Sequence, residues 1–221
     1  MPRVTLPADD GVAAGQVVGA VEFVAVTGDI ANRQEGVPLR IQPAAASWAQ
    51  FEQSFAQRLS LRTSSGAVTP LMVVPGNHDR RAALFEAFGR DGYMRGDDEF
   101  LHYAIDGHEV RLIGLDTVVP GSGHGEMCFK RLTWLEARLS EQRSQPTLVF
   151  MHHPPFDCGI SFFDGHKLNA GAGRLAEIVR RHPQVERVVC GHVHRPVQVR
   201  WAGTLGSIAP STAHQATLNL H

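Results

Sequence analysis

Four short apolar runs punctuate the chain, and each stops abruptly at a polar turn containing glycine or proline. VEFVAV at 21–26 runs into TGDIANR, LMVV at 71–74 into PGNHDRR, TLVFM at 147–151 into HHPPFD, and RVVC at 187–190 into GHVHRP. Runs this short, rich in valine and with little polar alternation, predict strands covered on both faces.

Between the runs the apolar period lengthens to that of a helix. In SWAQFEQSFAQRL (47–59), Trp48, Phe51, Phe55 and Leu59 fall on one face, with Ser47 placed to cap. RRAALFEAFG stops at Gly89, a good helix end. KRLTWLEARLSEQ aligns Leu132, Leu135 and Leu139, and GRLAEIVRRHP must end before Pro183. LHYAI and EVRLIGL flank Asp106-Gly107, a preferred tight-turn pair, and predict a hairpin. The C-terminal part is richer in strand patterns, VQVRW and ATLNL. This alternation predicts α/β layers in one domain over residues 1–221, with an atypical start at 1–20.

Composition narrows the classes. With 43% apolar and 19% charged residues the chain can bury a sizeable core. A formal net charge of −1 gives no footprint of a nucleic-acid or membrane partner. At the start, Arg3 is followed by Asp9 and Asp10, which makes a poor export signal. No run approaches the roughly 20 apolar residues of a membrane span. Cys128, Cys158 and Cys190 form no CxxC pair and read as reduced thiols, so a cytoplasmic location is expected. The oddity is 12 histidines, several in short clusters.

The polar turns fall at the C-terminal ends of the predicted strands, the edge where open α/β sheets bind ligands. They deliver Asp29, Asn77, His78, His152, His153, His192 and His194. Carboxylate, amide oxygen and imidazole without thiolate suit divalent Mn, Fe, Co, Ni or Zn. In an extended segment His192 and His194, two apart, face the same way, and Gly191 allows a tight turn before them. Two metals about 3.5–4 Å apart could each take one, with the Asp29 carboxylate as bridge.

GD at 28–29, GNHD at 76–79, HHPP at 152–155 and GHVH at 191–194, in that order, resemble the calcineurin-like metallophosphoesterase superfamily. DRRAALFEAF, FMHHPPFDCGI, HPQVERVVCGHVHRP and WAGTLGSIAPSTAHQ are similar to bacterial class III cyclic nucleotide phosphodiesterases. The resemblance implies a four-layer α/β/β/α sandwich of two mixed sheets around a dinuclear metal centre. Asp29 would bridge the ions, Asn77, His152 and His192 would hold the second, and His194 the first. His78 would lie over the substrate, donating to a phosphate oxygen or protonating the leaving alkoxide, with Asp79 orienting it. The implied reaction is hydrolysis of a small phosphodiester, a cyclic nucleotide first among the candidates, through in-line attack of a metal-bound hydroxide. Mn or Fe comes first among the metals, with Zn, Co and Ni also suited; the family holds two ions, and one or two are expected here.

Members of this superfamily open with a strand ending in Asp-x-His, which completes the first metal site. No such motif precedes Asp29, and the first histidine of the chain is His78. The expectation is a fold lacking its usual first strand, by truncation or by loss, and a first metal site reduced to Asp29 and His194, which binds weakly. An edge opened this way favours self-association, so a homodimer is among the expected assemblies. The same reading leaves open a phosphomonoesterase, glycerophosphodiesterase or nuclease on this fold, or a binding module with impaired catalysis. Segment 30–70 could cap the pocket or cover the place left by the missing strand.

Other residues take plainer readings. His153 contacts substrate or supports a neighbouring ligand. His102 and His108, beside the hairpin turn, are solvated, and His182 suits a helix C-terminus. His124 and His166 lie in glycine-containing loops within reach of the pocket, and His214 is structural or supports a neighbouring ligand. Asp116 caps a turn, Arg80 and Arg81 are solvated, and Trp48, Phe51 and Phe55 are core.

Overall fold

Side chains alternate across the central strands, and two separate apolar sets place a core on each face of one sheet. The computed structural model describes residues 24–28, 66, 71–89, 92–94, 99–211 and 215–217. Strand β1 (Val24–Val26) pairs in parallel with β2 (Leu71–Val73), which leads into helix α1 (Arg81–Phe88). Strands β3 (Tyr103–Ile105) and β4 (Arg111–Leu115) form an antiparallel hairpin. Then come β5 (Gly125–Glu126), α2 (Phe129–Glu141), β6 (Thr147–Met151), α3 (Ser161–Gly165), β7 (Leu168–Ala170) and α4 (Ala172–Arg180). Strands β8 (Val185–Cys190), β9 (Val197–Trp201) and β10 (Thr204–Ile208) follow. The six-stranded sheet is mixed and ordered β3-β4-β6-β8-β10-β9, with β4, β6, β8 and β10 parallel and an antiparallel strand at each edge. A small second parallel pair joins β5 to β7.

On one face of this sheet, Ile113, Leu115, Val149 and Met151 meet Leu132, Leu135 and Leu139 of α2 and Leu175, Ile178 and Val179 of α4. On the other face, Leu112, Leu148 and Phe150 meet β1, β2 and the Leu84 and Phe88 side chains of α1. Burial on both faces is why the strands read as unbroken apolar runs. Each such side chain contributes roughly 1.5–3 kcal/mol of transfer free energy.

Helices α1, α2 and α4 and the hairpin form where the periodicity predicts them. The hairpin loop is longer than its Asp106-Gly107 pair, because β3 ends at Ile105 and β4 begins at Arg111. Strand β10 carries no clean apolar alternation, since Gly206 interrupts it; a side chain there would collide with the ring of Phe156. Of the two mixed sheets expected, the six-stranded one is mixed, whereas the described part of the β1–β2 sheet is a parallel pair. The predicted helix at 47–59 and residues 1–23 lie outside the described residues. Among the described residues no helix is long and apolar enough to cross a membrane.

Candidate metal centre

Parallel strands point their carboxyl ends the same way, so the segments after β4, β6 and β8 emerge at one edge of the sheet. Strand β8 gives way to Gly191, whose backbone comes so close to Thr27 that a Cβ would lie 2.5 Å from the Thr27 carbonyl oxygen. The chain beyond it is not extended. His192 and His194 both adopt left-handed backbone, with φ of 71° and 55°. The convergence expected from extended i, i+2 spacing is therefore wrong in its geometry. Two non-glycine residues held at positive φ cost about 1–3 kcal/mol each, and such strain gathers at functional sites.

After β2, the turn at 76–79 closes on itself. The Asp79 N–H donates to the Gly76 carbonyl at 3.0 Å, and the Gly76 N–H donates to Asp79 Oδ2 at 2.9 Å. This presents Asn77 and His78 at the tip, with Asn77 half-buried and His78 exposed. From the end of β6, His152 and His153 are both fully buried.

Three atoms then meet. His152 Nε2 lies 3.0 Å from Asn77 Oδ1, His192 Nδ1 lies 3.1 Å from the same oxygen, and the two nitrogens are 3.2 Å apart. On its other side His152 Nδ1–H donates to the Thr27 carbonyl at 2.5 Å. A carbonyl only accepts, so the proton of a neutral His152 is on Nδ1 and the lone pair on Nε2. That lone pair faces the amide oxygen of Asn77, acceptor against acceptor. A cation among the three relieves the conflict; an amide turned to offer Nδ2–H is the metal-free alternative. The spacing fits the first option, because cis ligands at about 2.1 Å on an octahedral ion lie about 3.0 Å apart.

His153 completes the cluster. Ligand atoms of His152, His153 and His192 all lie within 4.8 Å of one another. His153 Nδ1 shares a hydrogen bond with Thr117 Oγ1 at 2.7 Å, and with Nδ1–H as donor the lone pair falls on Nε2. Gly125 must lack a side chain here, since a Cβ would lie 2.5 Å from the His153 ring. Cys190, the last residue of β8, is fully buried, and burial pushes its thiol far above its ordinary pKa.

The centre opens into a cleft of about 910 Å³. His78, His194, Arg80 and Arg81 line it, together with Phe162, Phe163 and His166 and loop residues Gly121, Ser122 and Gly123. Thus Asn77, His152 and His192 come into contact, His78 and His194 face the same cleft, and Asp29 lies outside the described residues.

Residues 12–196 match the model of the calcineurin-like phosphoesterases. The chain belongs to this family. It is 35% identical over 151 residues to a probable glycerophosphodiester phosphodiesterase of Arcobacter nitrofigilis, covering 68% of this chain and 55% of that one. It is 30% identical over 194 residues to the 3',5'-cyclic adenosine monophosphate phosphodiesterase of Escherichia coli, covering 88% and 62%. The chain thus spans little more than half the length of these curated relatives. Its fold is similar to a dimetal phosphatase of Danio rerio (TM-score 0.58, 15% identity, 75% of this chain and 67% of that one). It is also similar to a purple acid phosphatase of yellow lupin (TM-score 0.57, 16% identity, 90% and 39%).

Beside the cleft, where Arg81 and Val118 line it, lies a polar hub that sequence reasoning missed. Asp116, fully buried, accepts from Arg81 Nε at 2.5 Å and Nη2 at 3.0 Å, from the Leu101 N–H at 3.1 Å and from the Val118 N–H at 2.9 Å. Arg81 is therefore clamped, not solvated. His102 is buried rather than solvated: its Nδ1 accepts the Asp116 N–H at 3.0 Å and its ring stacks on Trp134 at 4.8 Å. Burial lowers its pKa to about 4. His182 is buried as well, with Nδ1–H donating to the Ile178 carbonyl at 2.8 Å. Only tertiary packing marks these residues. For His153, the doubled histidine after a strand was the available signal.

Proposed function

We propose that this chain hydrolyses a small phosphodiester in a metal-dependent reaction, with a cyclic nucleotide the first candidate substrate. The observation that carries the reading is the triangle of Asn77 Oδ1, His152 Nε2 and His192 Nδ1, held 3.0–3.2 Å apart beside the cleft, with the His152 lone pair facing the Asn77 oxygen. A divalent ion bound there supplies Lewis-acid activation of water and neutralises phosphate charge. Mn or Fe suits the nitrogen and oxygen donors best. His194 would hold the other ion, the first of the pair, with Asp29 shared between the two. His78, exposed on the cleft, hydrogen-bonds a phosphate oxygen or protonates the leaving alkoxide, and Asp79 sets its direction by closing the turn beneath it. The whole chain is read as one domain, a four-layer α/β/β/α sandwich acting in the cytoplasm. The 35% identical relative supports a glycerophosphodiester as the second substrate class.

The test is hydrolysis of bis(p-nitrophenyl) phosphate against p-nitrophenyl phosphate by the manganese-loaded protein, with bound metal counted per chain. The diester is expected to be preferred. Asn77→Ala and His192→Ala are each expected to lower its hydrolysis at least about 100-fold and to weaken metal binding. Full activity in both variants overturns the assignment.

A further inference from the structure

Large apolar side chains avoid water unless something else covers them. Among the described residues only Phe129 and Phe162 are large, hydrophobic and exposed, and Phe162, at 66% exposure, lies in the wall of the cleft. Its ring stacks on His166, with centroids 4.5 Å apart and planes 32° apart. His166 is fixed in turn, because its Nδ1–H donates to the Phe162 carbonyl at 2.7 Å. From Phe162 a path of ring contacts leads to the metal cluster: 5.3 Å to Phe163, then 5.6 Å from Phe163 edge-on to His192.

This wall is preorganised. Asp164 accepts the Cys158 N–H at 2.6 Å and the Gly159 N–H at 3.1 Å, which ties the turn before α3 to the helix. Phe163 packs into the main core and anchors the pair. A rigid aromatic surface beside a phosphate-binding centre suits a ligand whose phosphate and planar ring are a short sugar apart.

We infer that Phe162, backed by His166, is the stacking platform for the base of a nucleotide substrate and the residue that sets preference for nucleotides over base-free diesters such as glycerophosphodiesters. The inference rests on the phosphodiesterase reading and chooses between the two substrate classes it left open. Every nucleobase has a π face, so such a platform favours nucleotides as a class without reading one base.

The experiment is calorimetric titration of the manganese-loaded full chain with adenosine 5'-monophosphate and with ribose 5-phosphate, beside hydrolysis of glycerophosphoethanolamine. Stacking of about 1–3 kcal/mol predicts that the nucleotide binds about 5- to 150-fold more tightly than the sugar phosphate. Phe162→Ala is expected to reduce nucleotide affinity to that of ribose 5-phosphate, whose own affinity stays put; Phe162→Trp is expected to keep the preference. Because Phe162 is exposed, the alanine variant is expected to fold. Equal affinity for the two ligands, or a preference that survives Phe162→Ala, overturns the platform, while base-free hydrolysis then still reports on the centre. A preference abolished by Phe162→Ala, with no diester hydrolysed, upholds the platform and overturns the phosphodiesterase reading instead.

Discussion

His102 carries the clearest pH signature. Buried and stacked on Trp134, it stays neutral in the fold down to about pH 4, whereas in the unfolded chain it protonates near 6.5. Its folded pKa is lowered, so the unfolded state binds the extra proton first. Stability is therefore fully present above pH 6.5 and falls between 6.5 and about 4, by on the order of 3 kcal/mol in total. Urea unfolding at pH 7.5 and 4.5 is expected to show that loss, and His102→Asn, which keeps an acceptor oxygen for the Asp116 N–H, is expected to flatten it. This behaviour was invisible in the sequence. Beside a hairpin turn the residue reads as solvated; its partners are the backbone amide of Asp116, just past β4, and a ring on α2. His192 and His194 failed differently: the left-handed backbone that both adopt has no marker in side-chain type.

At the scale of elements, the loop between β4 and α2 forms one wall of the cleft and is held from two sides. Val118 O accepts from Arg81 Nη2 at 2.6 Å and from Arg131 Nη2 at 2.9 Å, and Arg131 also donates to the Glu126 carbonyl. An isolated antiparallel bridge between Val118 and Gly125 closes the loop at its base. Arg131→Met keeps the bulk over Phe100 but releases those carbonyls. Steady-state kinetics is expected to show KM rising severalfold with kcat little changed, and stability lower by about 1–3 kcal/mol. An unchanged KM would remove the loop from substrate binding. Elements with a full apolar period, α1, α2 and α4 and the strands β2, β6 and β8, were legible because burial on a fixed face dictates their pattern. Strand β10 and helix α3 were not: a glycine admits Phe156 in one, and the other is five residues long with its ring turned to solvent.

For the whole molecule, the proposed ligands come from segments that only the finished fold unites: Asn77 after β2, His152 after β6 and His192 after β8. An ion held by all three binds the native state alone and stabilises it by mass action, about 2.7 kcal/mol at a concentration 100 times the dissociation constant. Scanning calorimetry is expected to show the melting temperature rising with manganese and returning with a chelator, and Asn77→Ala is expected to abolish the rise.

The two-sided central sheet has a consequence for the order of events on the ribosome. Strands β1 and β2 cover a face built partly from Leu148 of β6 and Val189 of β8, both made long after them. At the usual pace of elongation, that leaves a wait on the order of ten seconds between emergence of the first pair and emergence of its partners. For that interval Val26, Met72, Val73 and Val74 have only the early part of their partner surface, from Leu84, Phe88 and Leu112, and the nascent chain is expected to recruit a chaperone there until β8 is made.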